Sequence, residues 1–151
     1  MKILVMRHGE AEVMAKSDQL RPLTLFGQQQ SGEQGEKLFK AGIYPQYVLV
    51  SPYLRAQQTF VQVNRKFVDG LKQETWQELT PYGDANLVRD YVALLNQQGV
   101  DCLLIISHLP LVGSIVNEFC ANQFVSFYPA TIAELDWDGQ RGKLIRVYQG
   151  G

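Results

Sequence analysis

The sequence is poor in sulfur, in histidine, in net charge and in long apolar runs. Its two cysteines, Cys102 and Cys120, stand at no paired spacing with another thiol or histidine. That argues against a disulfide framework and against a zinc knuckle. The apolar stretch after Lys2 ends at Arg7, too short for a secretory signal, and the longest later run, Cys102 to Ile106, is too short to span a bilayer. The cytoplasm is the expected location. With 14 Lys and Arg against 15 Asp and Glu, the formal charge is −1, so neither a general nucleic-acid binder nor a polybasic membrane anchor is expected. Any anion site must be a small local pocket. What is present is ordinary globular material, 46% hydrophobic over 151 residues. A single domain over 1–151 of that size buries roughly two thirds of its unfolded surface and needs no metal or cross-link to hold a core.

Three continuous apolar runs have the pattern of strands buried on both faces: Ile3 to Met6, Tyr47 to Val50 and Cys102 to Ile106. Each stops abruptly, at Arg7-His8-Gly9, at Ser51-Pro52 and at Ser107-His108. Ser51-Pro52 predicts a helix N-cap with proline in the first turn, and Pro110 is placed to open another helix. Thr24 predicts the cap of a helix that runs through Leu38 and Phe39 to a stop at Gly42. Asp84 predicts the cap of a second, with Leu87, Tyr91, Leu94 and Leu95 on one face and Gly99 as its stop. Ala133, Leu135 and Trp137 alternate with Glu134 and Asp136, and Lys143 to Tyr148 alternates likewise after Asp138-Gly139, the pattern of a β-hairpin at a sheet margin. Apolar runs alternating with helices predict an α/β fold, a three-layer α/β/α sandwich on a mostly parallel mixed sheet.

Both histidines, His8 and His108, fall just beyond the end of a buried strand, the edge at which open α/β sheets bind ligands. A lone histidine there is ordinarily a hydrogen-bonded structural residue; two in equivalent positions favour function. Arg7 precedes His8, and Arg55 follows the second strand in the first turn of a helix, where the macrodipole opposes a cation unless an anion is bound nearby. Two imidazoles, at least two guanidiniums and helix N-termini suit a phosphoryl group. Arginines grip its oxygens and a neutral imidazole nitrogen attacks its phosphorus. Metal chemistry fits less well, since neither histidine has a carboxylate at ligand spacing. Ser51 and Ser107 lie outside any Gly-x-Ser-x-Gly elbow and read as supporting residues.

Arg7-His8-Gly9 after the first strand resembles the signature of the histidine phosphatase superfamily, also called phosphoglycerate mutase-like. Arg21-Pro22-Leu23-Thr24 with Gly27, the segment Ser51 to Thr59, and Ile106-Ser107-His108 follow in that family's order over most of the chain. The short length, the segment Asp18 to Thr24 and the compact middle look most like the SixA-type phosphohistidine phosphatases. The resemblance implies that His8 is the nucleophile, that Arg7 and Arg55 bind phosphoryl oxygens, that His108 is the second pocket histidine and that Arg21 is a further phosphate contact. It implies no cofactor and no metal. The partner would be a phosphorylated histidine phosphotransfer domain or another phosphohistidine carrier protein.

One departure is informative. Many relatives that cleave phosphate monoesters carry an acidic proton donor in an insertion, whereas Glu74 to Asp84 here is short, and neither Glu78 nor Asp84 fits as that acid. An imidazole leaves far more readily than an alkoxide, so a phosphohistidine makes less demand on a general acid. The shortened segment should also leave the pocket mouth uncovered. The alternatives are a small-molecule phosphomonoesterase on the same scaffold and a non-catalytic phosphoprotein-binding module. Trp76, Tyr82 and Tyr128 are candidates for a docking surface.

Overall fold

The computed structural model describes residues 1–151. Six strands, β1 (Lys2–Arg7), β2 (Tyr47–Val50), β3 (Gln73–Thr75), β4 (Cys102–Ser107), β5 (Ile132–Trp137) and β6 (Gly142–Tyr148), form one sheet in the order β3-β2-β4-β1-β5-β6. The pairings from β3 through β1 are parallel. The last two strands form the expected antiparallel hairpin, with a register shift between Glu134 and Leu135.

Because the inner strands are buried on both faces, their residues divide alternately between two cores. Leu4, Met6, Val48, Val50, Leu104 and Ile106 pack with Leu38, Ala56 and Val63 from α1 (Leu25–Lys40) and α2 (Leu54–Asn64). Ile3, Val5, Leu49, Leu103 and Ile105 pack with Val88, Val92, Ile115 and Phe119 from α3 (Ala85–Gln97) and α4 (Leu111–Phe119). This is the three-layer α/β/α sandwich the sequence predicts. Each fully buried aliphatic side chain contributes about 1.5–3 kcal/mol, enough to set the register of β1, β2 and β4 tightly. No helix is long and apolar enough to cross a membrane.

Most predicted boundaries hold. Thr24 accepts the Gly27 N–H and caps α1, and Asp84 accepts the Asn86 N–H and caps α3. Gly42 and Gly99 end those helices at φ +73° and +100°, the left-handed backbone that glycine adopts without strain. Three readings are corrected. Ser51 does not cap α2; the helix begins at Leu54 after Tyr53, and the Ser51 hydroxyl is engaged elsewhere. β3 was not foreseen, because Gln73, Glu74 and Thr75 form an edge strand with no apolar face to bury. Glu134, in a position that alternation would expose, is buried among Lys2, Arg146 and the Tyr148 hydroxyl.

Register places the site. Arg7 pairs with Ser107 across β1 and β4, and Val50 pairs with Ile106 across β2 and β4. The next residues, His8, Ser51 and His108, therefore emerge side by side at one sheet edge.

Candidate active site

His8 is held by its own backbone: its N–H donates to Ser107 O at 3.0 Å and its carbonyl accepts from Ala130 N at 2.9 Å. The imidazole is 6% exposed. Its Nδ1 lies 2.7 Å from Gly9 O, and its Nε2 lies 3.3 Å from Nε of Arg55. A carbonyl oxygen only accepts and a guanidinium N–H only donates. The proton is therefore on Nδ1, and Nε2 carries an available lone pair. The loop after His8 presses against α1 so closely that a Cβ at Gly9 would meet Gly27 O at 2.6 Å, and one at Gly27 would strike Glu10 O. Glycine at both positions is a condition for this approach.

Arg55 is 4% exposed and reaches the site from the first turn of α2. Besides Nε on His8, its Nη1 donates to Asp18 O at 2.6 Å and its Nη2 lies 3.3 Å from Asp18 Oδ2. Thr59, one turn on, donates to Arg55 O at 2.8 Å while accepting the Gly9 N–H at 3.0 Å. A single hydroxyl thus spaces the histidine loop from the arginine helix. Arg21 joins through the same carboxylate, with Nη1 3.0 Å from Asp18 Oδ1 and Nε donating to Glu12 O at 2.7 Å.

His108 is buried, its ring centroid 5.0 Å from that of His8. Its Nε2 shares a hydrogen with Ser51 Oγ at 2.7 Å, and that oxygen also accepts the Tyr53 N–H. The Tyr53 ring meets His108 edge-on at 5.1 Å and supports the Arg55 guanidinium, also at 5.1 Å, so one aromatic face positions both. Arg7, the last residue of β1, donates from Nη1 to Phe127 O at 2.8 Å. Four buried side-chain polar atoms make no hydrogen bond, and two of them, Arg7 Nε and His108 Nδ1, belong to this cluster.

Burial is the main cause that lowers both imidazole pKa values, with the guanidiniums of Arg55 and Arg7 adding to it. His8 falls to about 3 despite its Gly9 hydrogen bond, and His108, also beside His8, to about 2. Both rings are neutral near pH 7. Desolvation outweighs the neighbouring arginines in holding them so. The arrangement offers a neutral nitrogen nucleophile facing concentrated positive charge. No three His, Cys, Asp or Glu side chains converge to hold a metal ion.

All five predicted positions, Arg7, His8, Arg21, Arg55 and His108, gather here. Sequence reasoning missed Asp18 as a participant. Its only signal was a carboxylate three residues before Arg21, in a spacing that turns often use for local ion pairs. Asp84 serves as the α3 cap, and the Glu78 carboxylate accepts the Asp84 N–H at 3.0 Å, so both are occupied by the loop they sit in. Trp76 is half-buried against Tyr91 at 4.8 Å, whereas Tyr82 and Tyr128 are exposed.

No family model matches the chain. Comparison with characterised proteins is more informative. The chain is 49% identical to the phosphohistidine phosphatase SixA homolog of Haemophilus influenzae, over 96% of this chain and 93% of that one. It is 42% identical to phosphohistidine phosphatase SixA of Escherichia coli, over 82% and 76% of the two chains. The fold superposes on the protein histidine phosphatase SixA complexed with tungstate at a TM-score of 0.93, with 38% identity, over 97% of this chain and 96% of that one.

Proposed function

The chain belongs to the SixA-type phosphohistidine phosphatases of the histidine phosphatase superfamily, a group of phosphoric hydrolases, and from that premise we propose that it dephosphorylates phosphohistidine on a partner protein through a phosphoenzyme intermediate at His8. The observation that carries this reading is the fixed tautomer of His8, with Nδ1–H on Gly9 O and the Nε2 lone pair beside Arg55. In the first step Nε2 attacks phosphorus while the P–N bond of the substrate breaks, and the substrate imidazole, already protonated on its other ring nitrogen, leaves neutral as His8 keeps its Nδ1–H. In the second, water attacks the phosphorus on His8, the new P–N bond breaks, and inorganic phosphate departs with His8 again neutral.

Arg7, Arg21 and Arg55 hold the phosphoryl oxygens as negative charge gathers on them. His108 contributes a donor: with Ser51 O–H donating to Nε2, the proton of the ring sits on Nδ1 and reaches a phosphoryl oxygen. Arg7 Nε, buried and unbonded, is a further donor for the same group.

The substrate we favour is a histidine phosphotransfer domain or a similar carrier. Support comes from the 65–84 connection, which carries only β3 and a single 3-10 turn at Gln77–Leu79, and from the loop that supplies Asp18 and Arg21. That loop also exposes Val13, Met14 and Leu20, apolar contacts suited to a protein partner. We place the protein in the cytoplasm, where its two free cysteines remain reduced.

The test follows phosphate release from a phosphorylated histidine phosphotransfer domain and from an aryl phosphate, with chelator present and a no-enzyme control. Loss from the carrier that requires His8 and outpaces the ester is expected. Full activity in a folded His8→Ala variant would overturn the assignment, and turnover of the ester alone would move the substrate to small phosphate esters.

A further inference from the structure

Asp18 makes two kinds of contact with Arg55. The backbone carbonyl is the short one, 2.6 Å from Nη1, while the carboxylate is the long one, with Oδ2 3.3 Å from Nη2. The carbonyl, the His8 ring and the Tyr53 ring already orient the guanidinium without the carboxylate. The carboxylate is therefore free to do something else, and its position says what. Nε and Nη2 are the two prongs of the side fork by which arginine grips planar or tetrahedral anions. One prong points at His8 Nε2 and the other is taken by Asp18 Oδ2. A phosphoryl group on or approaching His8 Nε2 lies at that fork, so its oxygens seek the prong that Asp18 holds. The other carboxylate oxygen, Oδ1, holds Arg21 at 3.0 Å, the second cation of the same mouth. Asp18 is also placed to yield: its side chain is 51% exposed on a short turn at Asp18–Leu20, against 5% for Arg55.

We propose that the Asp18 carboxylate is an internal competitor for the phosphoryl group, holding Arg21 and Arg55 between turnovers and returning to them as inorganic phosphate leaves. The proposal rests on the reading of this cluster as a phosphoryl pocket. It assigns Asp18 a positioning and specificity role and no bond-making step. Its consequence is selective. A phosphoryl group covalently delivered on a protein, held by the rest of that protein's interface, displaces the carboxylate, whereas free phosphate must compete with it unaided and is retained weakly.

The sign of one measurement separates this role from a purely structural one. Removing a residue that only supports the arginines would weaken anion binding; removing a competitor tightens it. Binding of inorganic phosphate to the full chain is measured by calorimetry near neutral pH and low salt for wild type, Asp18→Asn and Asp18→Ala. Both variants keep the backbone carbonyl, and their melting temperatures confirm the fold. The expected result is roughly tenfold tighter phosphate binding in each variant, the scale of two partly exposed ion pairs released. Equal or weaker binding in a folded variant would overturn the competitor role and leave the pocket intact. No phosphate binding by wild type or either variant would overturn the pocket reading and the competitor role with it.

Discussion

Two clusters of charge are buried in this molecule, and they are built in opposite ways. Around Glu134, 3% exposed, one carboxylate meets Lys2 at 3.2 Å, Arg146 at 3.3 Å and the Tyr148 hydroxyl at 3.2 Å. Its cations reach solvent along their own stems, and both of its oxygens have partners. Around His8, three guanidiniums and two neutral imidazoles face one carboxylate, and two buried nitrogens make no bond at all. The first cluster is saturated and serves the sheet. The second holds an excess of donors and positive charge that only an anion balances, at a real cost in desolvation. The two clusters thus differ in what they leave unsatisfied as well as in how their charges balance.

That contrast can be broken or sharpened by experiment. The largest effect belongs to His8→Ala, which should lower phosphate release from a phosphohistidine carrier by at least about a thousandfold while melting as wild type does. Arg55→Ala should cost about a hundred- to thousandfold in the same assay. Arg55→Lys should recover little, since an ammonium cannot fork between His8 and a phosphoryl oxygen. On the saturated side, Glu134→Ala should lower unfolding free energy by about 1–3 kcal/mol in denaturant melts and leave turnover unchanged. A folded Glu134 variant as inactive as Arg55→Ala would erase the distinction.

A further effect is one of pH. His8 and His108 have folded pKa values of about 3 and about 2, below the ordinary 6.5. The unfolded chain therefore takes up their protons first, as pH falls below about 6.5. Their contribution to stability is complete above that value and declines toward pH 3. Denaturation midpoints should drop between about pH 7 and pH 4.5, and His108→Gln should shallow the drop.

How much of this was legible in the sequence follows from the range of the forces involved. The aliphatic runs ending at Arg7, Ser51 and Ser107 report burial on two faces, a local property. They were enough to predict the layers and to bring His8 and His108 to one edge. Thr24 and Asp84 were readable as caps for the same reason. Ser51 was misread because Ser-Pro suits a cap locally, while its hydroxyl answers to His108, far away in the chain. Gln73 to Thr75 carries no apolar signal because an edge strand needs none. Asp18 was unreadable because its partner Arg55 lies 37 positions on, a pairing that exists only after the fold has formed.

The order β3-β2-β4-β1-β5-β6 also bears on how the protein comes into being on the ribosome. β1 pairs only with β4 and β5, both encoded beyond residue 100. Until those segments emerge, the strand that carries Arg7 and leads into His8 has no neighbour, and β2 with Arg55 beyond it stands apart. A nascent chain therefore carries His8 long before it carries a pocket around it. Insertion of β4 between β2 and β1 brings His8, Ser51 and His108 to one edge, and the segment leading into β5 adds the Phe127 and Ala130 contacts to Arg7 and His8, so that the site is finished only as the sheet is.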